Sequence, residues 1–97
     1  MHDFNKEVCD ISKKIPKGKI STYKIIANKL NSKAYRAVGR ILNKNNSKLV
    51  PCHRIINSNG NLGGFNKGIK NKIKLLKREG VEIKNNKIDL KRYLYKF

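Results

Sequence analysis

Acidic side chains are scarce in this 97-residue chain: six Asp and Glu face 24 Lys and Arg, a formal net charge of +18. That imbalance argues against a thermophile-type surface of matched ion pairs, which needs Glu alongside its Lys. It points to a polyanionic partner, nucleic acid first. Cysteine is also rare. Cys9 and Cys52 are too few for a disulfide framework, and neither sits in a CxxC or other metal-ligand spacing. The simplest reading is a reduced, intracellular protein without a structural metal. Long apolar runs are absent, which excludes a helical membrane span. The opening MHDFNKEVCD lacks the basic-then-apolar order of a signal peptide. No stretch pairs a basic face with a broad aromatic one, as a membrane-surface helix would. There is no internal repeat, and the length suits one small domain with a limited core.

What is present reads mainly as helix. Phe4, Val8, Ile11 and Ile15 share one helical face behind Asp3 as N-cap, and Pro16 ends that helix at Ile15. PKGK, 16–19, is a turn. A second helix is expected over 22–30 with Ser21 as cap and Ile25, Ile26 and Leu30 inward. After a polar break at Asn31 and Ser32, a third is expected over 33–44, capped by Ser32, with Ala34, Val38, Ile41 and Leu42 as its apolar stripe. Arg36 and Arg40 fall on the opposite face. Two short helices joined by a tight turn, the second with outward arginines, form a helix-turn-helix pattern. Residues 43–50 read as a loop feeding an extended piece, and 54–65 as a strand end, a turn and a glycine loop in which Gly60, Gly63 and Gly64 allow positive φ. A fourth helix is expected over 68–79, with Ile69, Ile73 and Leu76 inward and Gly80 after it. The tail alternates Val81, Ile83, Asn85-Asn86, Ile88 and Leu90, a small hairpin or wing.

One stretch concentrates reactive groups: VPCHRII, 50–56. A lone cysteine is usually a small buried apolar residue, and Cys9, inside the first helical pattern, reads that way. Cys52 has His53 and Arg54 directly after it, and a nucleophilic thiolate needs a nearby cation or imidazole. The residues alone leave both readings of Cys52 open. Glu79 closes the fourth helix, where the helix dipole disfavours a carboxylate. It either pairs with a neighbouring base such as Lys77 or Arg78, or orients a histidine as in cysteine–histidine–acid systems.

PCHRII followed by NGNLGGF, 59–65, closely resembles the active-site stretch of the O6-alkylguanine-DNA alkyltransferases. IPKGKISTYKIIA, 15–27, resembles that family's tyrosine segment, AYRAVGRIL, 34–42, its recognition helix with the arginine finger, and LLKREG, 75–80, its glutamate segment. The resemblance covers nearly the whole chain, in order. It implies a mainly α, winged helix-turn-helix-like fold corresponding to the family's catalytic domain, with residues 1–97 as one domain and the usual N-terminal domain missing. It implies that Cys52 accepts the alkyl group of O6-alkylguanine and keeps it, that His53 takes the thiol proton through a water, and that Glu79 holds His53. Tyr23 would donate to guanine N3, and Arg36 would fill the gap left by an everted nucleotide. Asn45 would be the hinge asparagine, with Asn43 and Asn46 close by.

The same resemblance places Arg40, Thr22, Ser32, Tyr35 and Lys44 beside Tyr23 and Arg36 on the DNA face, and Leu42, Ile55, Gly63, Gly64, Phe65 and Asn66 around the substrate pocket. The implied partner is double-stranded DNA bound through its minor groove by a monomer, in the cytoplasm or on the nucleoid. No cofactor or metal is implied, and no membrane. Two other readings stand beside it. Alkyltransferase-like proteins bind the lesion without transfer, usually with tryptophan where this chain has Cys52. A basic helix-turn-helix or chromatin protein with an inert cysteine would share the charge. A cysteine hydrolase is more remote, because the spacing matches no protease signature.

Overall fold

A computed structural model describes residues 3–45, 49–64 and 68–97. Its first helix, α1, is Phe4–Ser12, and the Asp3 side chain accepts from Lys6 N as its cap. It stops three residues short of the expected end. The Ser12 hydroxyl donates back to Val8 O at 2.7 Å, and the chain then tightens through Lys14 N to Ile11 O and Ile15 N to Ser12 O. The 16–19 turn forms as expected, closed by Lys19 N to Pro16 O.

Strand β1, Ser21–Thr22, pairs in parallel with β2, Ile55–Ile56, in the register Ser21–Ile55 and Thr22–Ile56. Helix α2, Tyr23–Lys29, follows β1 directly. Its cap is Thr22, whose Oγ1 accepts from Ile25 N at 3.1 Å, and not Ser21, which the strand pairing claims. Helix α3, Tyr35–Lys44, begins later than expected. Ser32 does not cap it: its hydroxyl accepts from Ala34 N, two residues on, and so closes a local turn before the helix starts. Ala34 is therefore exposed, while Val38 and Leu42 are buried. Residues 43 and 44 belong to α3 and not to a loop.

Cys52–Arg54 form a single 3₁₀ turn, where an extended piece was expected. Helix α4, Ile69–Arg78, ends in a Schellman motif: Val81 N bonds Leu76 O, Gly80 N bonds Lys77 O, and Gly80 takes φ +89°. Ile69, expected inward, is 41% exposed, and Lys72 occupies the inward position. The wing is one bridge deep, Lys84 to Lys87, turned by Asn85 and Asn86 at φ +53° and +60°. A short helix, α5, Leu90–Tyr93, then breaks the expected alternation; Asp89 caps it by accepting from Lys91 N.

Ile55 and Ile56, adjacent on β2, point to opposite faces and are both fully buried. Ile55 joins Val8, Ile15, Ile26, Val38, Leu42 and Cys52 among α1, α2 and α3. Ile56 joins Ile20, Leu62, Leu76, Val81, Ile88 and Tyr93 between α4 and the wing. Each of the two side chains contributes about 1.5–3 kcal/mol of burial. Together they hold the Cys52 turn in the seam between the helix-turn-helix and α4. No helix among the described residues is long and apolar enough to cross a membrane.

Candidate active site

The turn that carries Cys52 is short and anchored at both ends. Cys52 N bonds Val50 O at 2.8 Å, Arg54 N bonds Pro51 O at 3.0 Å, and β2 follows at once. Cys52 is buried, with 8% exposure. The turn directs His53 toward the C-terminus of α4, where its Nε2 donates to Glu79 Oε2 at 3.0 Å. Glu79 sits there because the Gly80 cap stops the helix at that point. Its pairing is with His53 and Arg54, not with Lys77 or Arg78. The two readings of Glu79 therefore converge: it is ion-paired and it orients the histidine.

Burial pushes the His53 pKa below its ordinary value of 6.5. Glu79 opposes this, while Arg54 and Lys72 add to it, so the ring favours its neutral form. Burial alone would raise Glu79, but its bonds from Arg54 and His53 outweigh that and hold the carboxyl below the usual range. His53 is thus a neutral base whose Nε2–H is engaged, which leaves Nδ1 as its acceptor.

Tyr23, at the first turn of α2, is half-buried. Burial, then the charge of Cys52, raises its phenol to about 12, so it remains a protonated donor at neutral pH. Its ring packs between two glycines. A Cβ on Gly39 would lie 3.8 Å from the ring, and one on Gly63 would lie 3.4 Å from it and 3.2 Å from Asn57 Oδ1. Gly63 also has φ +71°, whereas Gly64 does not need positive φ. Gly63→Ala is expected to lower stability by ~1–2 kcal/mol through backbone strain, with the new Cβ crowding Asn57 Oδ1 at 3.2 Å, and thermal denaturation would read the loss.

Lys72 is the residue that sequence reasoning missed. It is fully buried, and its Nζ donates to Ile55 O at 2.7 Å, Leu62 O at 2.5 Å and Gly64 O at 3.1 Å. It also lies 5.9 Å from the Tyr23 ring centre. Burial lowers its pKa from 10.5 to about 8, and the charge of Cys52 works against that fall. The charges of this ammonium and of Cys52 act on each other, and a nearby cation is what a thiolate nucleophile needs. The available signal was a lysine on the apolar face of α4, one turn before Leu76. In a chain with 24 basic residues it does not stand out.

The residues assigned to the DNA face divide. Tyr35, Arg36, Arg40 and Lys44 are exposed along α3, with the Arg36 guanidinium 5.9 Å from the Tyr35 ring centre. Thr22 is a correction: it is 2% exposed, and its hydroxyl is engaged in capping α2. Ser32 is half-buried, its hydroxyl held by Ala34 N. Asn45 ends α3 and donates through Nδ2 to Cys9 Sγ at 3.2 Å, beside a cleft of about 630 Å³ between α1 and α3. Cys9 is half-buried, not sealed in the core. Leu42 and Ile55 are 2% and 0% exposed and pack behind Cys52. Phe65, Asn66 and Asn46 lie outside the described residues. Among the described residues no three His, Cys, Asp or Glu side chains converge as a metal ion would require.

A thiol, a carboxylate-bound imidazole, a phenol and an ammonium thus gather at one turn behind a basic helix. Comparison with known proteins gives a matching picture. Residues 3–81 match the family model described as the DNA-binding domain of 6-O-methylguanine DNA methyltransferase. A bifunctional methyltransferase/endonuclease of Picrophilus torridus is 46% identical over 83 residues, covering 84% of this chain and 28% of that protein. A methylated-DNA–protein-cysteine methyltransferase of Saccharolobus islandicus is 52% identical over 71 residues, covering 72% of this chain and 46% of the other. The chain thus spans less than half the length of these two relatives. S. pombe Atl1, solved in complex with damaged DNA containing O6-carboxymethylguanine, superposes over 100% of both chains with a TM-score of 0.89 and 32% identity.

Proposed function

This chain belongs to the 6-O-methylguanine DNA methyltransferase family, and on that premise we propose that it repairs alkylated DNA by moving the alkyl group of O6-alkylguanine onto its own Cys52. The observation that carries transfer over mere binding is the ordered set at the 52–54 turn: Cys52 beside a His53 that is bonded to Glu79 at 3.0 Å. A stacked base is out of reach of that sulfur, so the nucleotide must be turned out, at a cost of a few kcal/mol. Arg36, exposed on α3 next to Tyr35, would fill the gap in the stack. The neighbouring Arg40 and Lys44 supply phosphate contacts.

The sulfur then attacks the alkyl carbon in line. A carbon–sulfur bond forms and the carbon–O6 bond breaks, with its electron pair passing to the purine. The thiol proton leaves through His53, and the purine takes up one proton to depart as neutral guanine. Tyr23, protonated at neutral pH, is the hydrogen-bond donor for that departing charge. The product is a stable thioether, so each molecule acts once.

A second reading has one observation in its favour. The likeness to Atl1 extends over the full length of both chains, and that likeness supports lesion binding as the whole activity. Intact-protein mass after incubation with a duplex containing O6-methylguanine separates the two. The transfer reading expects a gain of one methyl group, abolished in Cys52→Ala and retained in Cys9→Ala. Tight lesion binding with unchanged mass favours the second reading, and absence of lesion preference rejects both.

A further inference from the structure

We propose that Arg54 is a positioning residue for this reaction: its guanidinium ties both oxygens of Glu79 to the backbone carbonyl of Ile15 and offsets the carboxylate charge, which leaves His53 aimed and free to accept a proton. The inference rests on the alkyl-transfer reading above. Its basis is geometric. Arg54 Nε donates to Glu79 Oε1 at 2.9 Å, Nη2 donates to Glu79 Oε2 at 2.6 Å, and Nη1 donates to Ile15 O at 2.7 Å. The Arg54 and Glu79 side chains are only 12% and 11% exposed. Ile15 is fully buried and its N–H donates to Ser12 O at 3.2 Å, which anchors the backbone that carries this carbonyl. A planar guanidinium held at three points fixes the carboxylate in position and in rotation, which an ammonium cannot do.

The second consequence is electrostatic. Oε2 of Glu79 accepts from both Arg54 and His53. The charged groups acting on His53 are Glu79 at the end of α4, Lys72 from the middle of α4, and Arg54 on its own turn. Cys52 adjoins it in sequence, with the phenol of Tyr23 across the site. Without the guanidinium, the Glu79 charge would fall on the imidazole alone and hold a second proton there. A doubly protonated ring cannot take the thiol proton. The sign is definite: transfer slows as pH drops through the His53 pKa, and loss of Arg54 raises that pKa, so the decline begins at higher pH.

Single-turnover methyl transfer from an O6-methylguanine duplex, followed between pH 6 and 9 with the full chain, tests this in wild type, Arg54→Gln and Arg54→Lys. Arg54→Gln is expected to lose at least about twofold more rate at pH 6.5 than at pH 8.5, because a His53 carried up to the ordinary histidine range or above is at least half protonated at pH 6.5. Arg54→Lys keeps the charge, so its profile should retain the wild-type shape at a reduced rate. Equal losses for Arg54→Gln at every pH make Arg54 a structural strut and overturn the proposal. If Arg54→Gln does not fold, Arg54→Lys decides: an undiminished rate overturns it. His53 can also be titrated by NMR, since His2 is the only other histidine. A wild type that transfers nothing sinks the transfer reading, whereas a His53 titration unmoved by Arg54→Gln sinks this inference alone.

Discussion

Lys72→Met is expected to lower the melting temperature by on the order of 10–20 °C and to slow methyl transfer at least tenfold. Two opposing effects set the stability change. Burying the ammonium costs about 3 kcal/mol, the free-energy equivalent of its pKa falling from 10.5 to about 8, and methionine relieves that cost. Against it stand three bonds to the carbonyls of Ile55, Leu62 and Gly64. Hydrogen bonds from a charged donor contribute about 1.5–3 kcal/mol each, and the abandoned acceptors would remain desolvated. The bonds win by ~1.5–6 kcal/mol. Those carbonyls belong to the strand after Cys52 and to the glycine loop, so the loss also loosens the site. The same lysine gives the wild type an alkaline limb. As pH rises past about 8 the ammonium loses its proton and its charge no longer acts on Cys52. Lys72→Met should lack that limb. An unchanged melting temperature together with an unchanged pH profile would refute this account.

Arg36→Ala is expected to slow methyl transfer from duplex DNA about 10²-fold, because a few kcal/mol of unstacking is then left without its replacement. Transfer from the free alkylated base, which needs no eversion, should be little changed. The contrast follows from position. Arg36 is exposed on the outer face of α3, whereas Cys52, His53 and Glu79 are assembled by the turn after Val50 and by α4. Measuring both substrates on one preparation is decisive, since equal losses would move Arg36 from the base stack to general phosphate binding.

Much of the architecture is legible from local chemistry. Asp3 caps α1, Asn31 breaks α2 from α3, and Gly80 stops α4, because each depends on a few neighbouring residues and a backbone preference. Errors arise where a distant segment overrides a local one. Ser21 has good cap chemistry, yet β2 recruits it into a strand, and the next hydroxyl, Thr22, becomes the cap. Thr22 is thereby lost to the DNA face. Ile69 fits the inward stripe of α4, but Lys72 takes the interior because three backbone carbonyls from other segments converge there.

The amino-acid order by itself determined the helix-turn-helix, the basic outer face of α3, and the adjacency of Cys52, His53 and Arg54, all matters of short spacing and charge. It could name Glu79 as the carboxylate for His53 only through a family resemblance. Twenty-six residues separate them, and no local periodicity reaches that far. The tertiary structure decided which acid meets the imidazole, that Arg54 shares it, and that Lys72 turns inward onto the carbonyls of Ile55, Leu62 and Gly64. Each of these depends on a side chain crossing from one element to another. The physical reason is that burial makes unpaired charge costly, and which partner relieves that cost is settled only when the elements pack.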